Sequence, residues 1–128
     1  MSQMSNYLED ALLNEVFRNV GYAPVVTVYV ALYTATPSDS GGGTEVATGS
    51  YARTAVTFGA SSGGSINNSG DVTFPTATAD WGTITSFGIF DASSAGNLLV
   101  WGPLTASKTV SNGDIFKFLT AQLVVNFL

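Results

Sequence analysis

Residues 79–91, ADWGTITSFGIFD, constrain the fold of this chain more than any other stretch. The middle alternates: Ile84, Ser86, Gly88 and Phe90 on one side, Thr83, Thr85, Phe87 and Ile89 on the other. A period of two is that of a β-strand. Large apolar groups occur on both sides, which predicts a central strand covered on both faces. Gly82 and Gly88 mark places where another backbone or ring comes close. Asp91 opens the turn ASSAGN, and the chain returns as LLVWGPL. Residues 83–104 therefore read as a β-hairpin with Trp81 and Trp101 near its two ends.

The other segments fit around this hairpin. Residues 6–20 predict the one helix, with Asn6 as N-cap, Glu9 three residues on as in a capping box, and Gly21 as C-terminal cap. Glu9 and Asp10 at its start and Arg18 at its end suit the helix dipole. Leu8, Leu12, Leu13, Val16, Phe17 and Val20 make an apolar stripe. That stripe packs on the chain's own sheet or docks on a neighbouring subunit. Residues 25–33, VVTVYVALY, predict a strand with Val26, Val28, Val30 and Leu32 on one face. Residues 34–49, with Pro37 and the run Gly41–Gly43, form a long aperiodic loop of the kind that is functional or disordered. Further strands are expected at residues 51–58, 71–74, 115–119 and 122–128, with a flexible connection over 59–70 and an Asn112-Gly113 turn. The fold class is thus mainly β, an antiparallel β-sandwich of about seven strands with one N-terminal amphipathic helix. Residues 1–21 make the helical segment and 22–128 the sandwich of a single globular domain.

Composition narrows the function. The chain has 128 residues, neither cysteine nor histidine, and a formal net charge of −5. Disulfides and thiolate metal sites are excluded, and the commonest metal ligand and general base is missing. Arg18, Arg53, Lys108 and Lys117 are dispersed, so no nucleic-acid backbone is an expected partner. No leader is visible in MSQMSNYLED, and the apolar run around residues 25–33 is too short and too β-branched for a membrane span. The chain is expected to be made in the cytoplasm, not exported by a standard leader, and without membrane partners. Charged residues are 10% of the total against about 25% in ordinary soluble domains. Either Thr and Ser cover the exposed positions, or apolar faces are buried in an assembly.

Candidates for chemistry are few. Asp80 with Asp91 is the pair to test for glycoside hydrolysis, which needs two facing carboxylates, but Asp91 and Asp114 sit at turns, where Asp bonds nearby backbone N–H groups. Asp39 with Glu45, or Asn67, Asn68 and Asp71, lack the spacing of a calcium loop. Gly41–Gly43 has no following Lys-Ser/Thr, so it reads as a flexible loop and not a phosphate cradle. No catalytic residue, cofactor or metal is expected. Interface residues are the remaining prospect: Leu8, Leu12, Val16, Phe17, Tyr22, Tyr51, Trp81 and Trp101, because Tyr and Trp anchor interfaces or, by default, pack cores.

The segments NYLEDALLNEVF, TVYVALYTATPSD, SYARTAVTF and DVTFPTATADWGTITSFGIFDASSAGNLLVWGPLTASKTVSNGD together resemble a family of small bacteriophage virion structural proteins, tail-fibre-like or capsid-decoration-like, at the head, neck or tail. The resemblance runs from Asn6 to about Leu128 and is most specific at YVALYT, SYAR and the WG-T-T-FGIFD hairpin. It implies a virion component and brings no catalytic residues. The first reading is a capsid decoration (cement) protein, a homotrimer bound to the major capsid protein or other virion proteins, stabilising the head through subunit contacts. The alternative is a tail-associated fibre, fibre adaptor or receptor-binding protein whose long loops touch a host glycan or protein. An enzyme acting on cell-wall sugars ranks below both.

Overall fold

A computed structural model describes residues 2–127. Its elements are β1 (Gln3–Met4), α1 (Asn6–Arg18), β2 (Val28–Ala35), β3 (Thr44–Glu45), β4 (Thr54–Val56), β5 (Ser65–Asn67), β6 (Val72–Thr73), β7 (Gly82–Phe90), β8 (Leu98–Val110), β9 (Lys117–Phe118) and β10 (Val124–Asn126). Leu128, expected to end the last strand, and Met1 lie outside the described residues.

The central hairpin is present as β7 and β8. One six-stranded sheet runs β1-β8-β7-β2-β3, with β4 on the same outer edge of β2 as β3. Every pairing in it is antiparallel. β7 lies between β8 and β2, pairing Phe87 with Gly102 on one side and with Leu32 on the other. Against one face lies a second layer made of the two-stranded sheets β5–β10 and β6–β9. Val30 and Leu32 of β2, Ile84, Phe87 and Ile89 of β7, and Val100 of β8 meet Phe74, Phe116, Phe118, Leu123 and Val125 from that layer. Phe118 packs edge-on against Phe87 at 6.3 Å and against Phe116 at 5.1 Å, so an aromatic cluster joins the layers. The antiparallel β-sandwich with one N-terminal helix is therefore what the chain forms, although several strands are only two residues long.

Three local expectations are corrected. Ile84 shares the core with Phe87 and Ile89 instead of opposing them. The alternation breaks because β8 slips: Ile84 faces Lys108 while Ser86 faces Pro103, so two steps on β7 oppose five on β8. The slip starts at Pro103, which has no N–H for the ladder. Ser86, opposite it, keeps a buried hydroxyl without a partner, which nothing in the structure explains. Second, β2 starts at Val28, and Val26 is fully exposed, because β4 and β7 reach no further along it. Third, the helix is capped by Ser5, whose hydroxyl accepts a hydrogen bond from Leu8 N at 3.2 Å, and stopped by Asn19 in the left-handed conformation, not by Asn6 and Gly21. The expected Asn112-Gly113 turn is present and carries the chain from β8 to the other layer, where β9 pairs with β6.

The glycine-rich loop is also built rather than loose. Ser38 and Gly41 exchange backbone hydrogen bonds of 2.8 and 2.9 Å, β3 joins the sheet, and Val46 N donates to Leu32 O. Gly41, Gly42 and Gly43 have φ of +98°, +77° and +71°. At Gly43 a Cβ would lie 2.6 Å from Ala35 O and 2.8 Å from Pro37 N, whereas at Gly41 it would meet nothing within 4 Å. Gly41→Ala is therefore expected to cost only the left-handed penalty of about 1–2 kcal/mol. Gly43→Ala adds a backbone clash and is expected to cost about 3 kcal/mol or more. Urea unfolding of the two variants beside the parent checks the difference.

Candidate interaction site

The eight residues proposed from sequence divide into four groups. Leu8, Tyr51 and Trp81 lie in or against the chain's own core. Tyr51 stacks on Phe74 at 6.3 Å and meets Trp81 edge-on at 5.4 Å, while Trp81 Nε1 donates to Gly49 O at 3.0 Å. Their apolar surface is therefore largely covered within the protomer. Leu12 and Tyr22 are half-buried against the same core. Val16 and Phe17 are open, at 69% and 78% exposure. With Leu13 they occupy neighbouring positions on one helix face. The N-terminal half of the stripe thus docks on the chain's own sheet, and the C-terminal half leaves it.

Trp101 belongs to the opposite face of the main sheet, packed against Ala31, Tyr33, Phe90 and Leu98. Its Nε1 donates to Asp39 Oδ1 at 2.9 Å. That bond, together with Asn6 N donating to Asp39 O at 2.9 Å, ties the 38–42 turn to β8 and to the start of α1. Two adjoining grooves open around this junction. One, of about 510 Å³, is lined by Gln3, Asn6, Ser38, Asp39, Ser40 and Trp101. The other, of about 440 Å³, shares Asn6, Asp39 and Ser40 and runs on to Tyr7, Tyr33, Phe90 and Asn97.

Beneath the second groove lies a polar cluster that reading the sequence missed. Arg53 grips Glu45 with two bonds of 2.9 Å, from Nε to Oε2 and from Nη2 to Oε1. Its Nη1 donates to Ala92 O at 3.1 Å and Ala95 O at 2.8 Å, and its guanidinium lies 3.6 Å from the centre of the Phe90 ring. Tyr51 donates to Glu45 Oε2 at 2.7 Å and accepts from Leu32 N at 3.0 Å. Arg53 thus pins the tip of the central hairpin to β3 and to a core tyrosine. The bond to Glu45 raises the Arg53 pKa further. The signal in the sequence was slight: one cation in SYAR and one acid after the glycines, in a chain where charge is scarce.

The other carboxylates tested from sequence serve turns. Asp91 accepts from Asn97 N at 2.7 Å and from its Nδ2 at 3.0 Å, Asp114 accepts from Ser111 N at 2.9 Å, and Asp80 from Asn112 N at 2.9 Å. Asp80 and Asp91 bracket the nine-residue β7, roughly 30 Å apart along a strand of that length, so they do not flank one bond. Asp71 accepts from Thr120 N and Oγ1 at 2.9 and 3.0 Å, which lowers its pKa. Among the described residues no three acidic side chains gather to hold a metal.

Burial pushes the Tyr33 phenol up to about 12, with the Glu45 charge adding to it. Burial first, then the bond to Glu45, raises Tyr51 still further. Both start from 10.0 when unfolded, so the folded state holds these protons more tightly. Their contribution to stability is complete below pH 10 and falls as pH rises beyond it, by about 1.4 kcal/mol per pH unit for each phenol while folded and unfolded forms differ. Thermal unfolding followed from pH 8 to 12 is expected to show that decline (about one proton per phenol). Tyr33→Phe is expected to make it shallower.

A comparison with curated proteins finds no match. The family described as podophage GP4 fiber I protein gp80 matches residues 3–126, which is nearly the whole chain and includes every strand and the helix. The chain belongs to that family of bacteriophage virion structural proteins.

Proposed function

We propose that this protein is a tail-associated component of the virion, a fibre subunit or fibre adaptor, that self-associates, as a homotrimer, through the open end of α1. The observation that carries the reading is the family itself, whose description is that of a fibre and whose match spans residues 3–126. A capsid decoration protein came first from sequence alone; the fibre description favours the tail-associated alternative over it. The self-association rests on Leu13, Val16 and Phe17, which are 55%, 69% and 78% exposed in the protomer. Apolar groups grouped in this way mark contact surfaces. Another virion protein at the tail is the second partner this reading requires.

Gold-labelled antibody against the chain, applied to intact virions, is expected to mark the tail with a few particles each. Label spread over the head would overturn the tail assignment and restore the decoration reading. A separate prediction concerns assembly. Val16 and Phe17 touch little in the protomer, so Val16→Asp with Phe17→Asp should change its stability by less than about 1 kcal/mol. Light scattering should nevertheless show the double variant as a smaller species than the parent. An unchanged mass would remove α1 from the interface.

A further inference from the structure

Tyr33 is 4% exposed and lines the second groove, yet its hydroxyl has no hydrogen-bond partner among the described residues. Among those residues Ser86 Oγ is the side-chain atom both sealed from solvent and unpaired. The Tyr33 hydroxyl is therefore not fully sealed, and Tyr33 lines the groove. A phenol held up to about 12 stays protonated across the neutral range, so it offers both a donor and an acceptor there. Asn97 stands at the same groove with its Nδ2 engaged by Asp91, which fixes the amide and leaves Oδ1 to accept. Asp39 has Oδ1 engaged by Trp101, leaving Oδ2.

The walls limit the charge of what can bind. Neither groove is lined by Lys or Arg, and Asp39 is the carboxylate that lines both. Arg53 lies against Phe90, but Glu45, Ala92 O and Ala95 O take its donors. A phosphate, sulfate or uronate would meet a carboxylate and no free cation. Most of the remaining lining is uncharged Ser, Asn, Gln and Gly, with aromatic groups set into it: Tyr7, 43% exposed, beside the buried Tyr33 and Phe90 in one groove and Trp101 in the other. Aromatic groups set among fixed hydroxyl and amide groups suit ring faces bearing many hydroxyls.

We infer that the joined grooves between the 38–42 turn, the start of α1 and the hairpin tip bind a neutral saccharide. Its ring faces lie on Tyr7 and Trp101, the aromatic groups open in the grooves, and its hydroxyls reach the Tyr33 hydroxyl, Asn97 Oδ1 and Asp39 Oδ2. This deepens the fibre reading by giving the tail-associated chain a ligand class and a site.

The test uses the purified full chain, titrated with neutral oligosaccharides of hexose, 6-deoxyhexose and N-acetylhexosamine units, and with uronate-bearing ones as the contrast. Neutral oligomers are expected to bind and to change the emission of Trp101, while Trp81, 5% exposed, stays silent. Tyr33→Phe should weaken binding about fivefold or more without lowering the unfolding midpoint, because the lost hydroxyl has no protein partner. Ser40→Trp, on an exposed turn, should fill the shared part of the grooves and weaken it at least about tenfold. The inference is overturned if no neutral oligomer binds, if acidic ones bind better, or if both variants bind like the parent. Virion labelling reads location independently, so a fibre subunit that binds no sugar and a sugar-binding chain on the head are told apart.

Discussion

From Ser86 to Phe90 β7 has no solvent side, and a strand so placed can satisfy its N–H and C=O groups only by pairing on both edges. β2 and β8 provide those edges. One face is then closed by the aromatic cluster of the second layer, the other by Tyr33, Leu98 and the Arg53-capped Phe90. Gly88 shows how close this packing is: a Cβ there would lie 3.0 Å from both Leu98 and Tyr33. The smallest residue sits where rings from β2 and β7 cross, and a larger one would push the two faces apart.

Scarce charge is used mainly inside the protomer. Arg53 and Glu45 lock the hairpin tip, and Asp80, Asp91 and Asp114 hold turns. Loops of Gly, Ser and Thr would otherwise have little to fix them, since their side chains add almost no apolar area. The same economy leaves two kinds of open surface: an apolar helix end and a polar groove lined by no cation. Both suit contact with other molecules, as a virion structural protein makes.

How much was legible in the sequence depends on how local the determinant is. The β7–β8 hairpin, the helix, the Asp91 turn and the buried alternation of Leu123 and Val125 follow from spacing along a few residues. The β8 slip at Pro103 was not legible, because register depends on what the partner strand does five residues further on. Nor was the split of the α1 stripe. Leu8 and Phe17 look alike in a helical pattern, and only the end of the sheet beneath them makes one buried and the other 78% exposed. The Arg53 site joins residues from three separate loops and strands, which no spacing rule links.

The amino-acid order alone determined an all-antiparallel β fold with a leading helix, a chain without thiol or imidazole chemistry, and the turns that Gly, Asn and Asp impose, since each of these is set by residue type and near neighbours. Tertiary structure decided which apolar side chains are core and which are free, where the strands slip, and that the buried Tyr33 lines a groove. Burial and register arise from surfaces brought together over long stretches of chain, and no single segment carries that information.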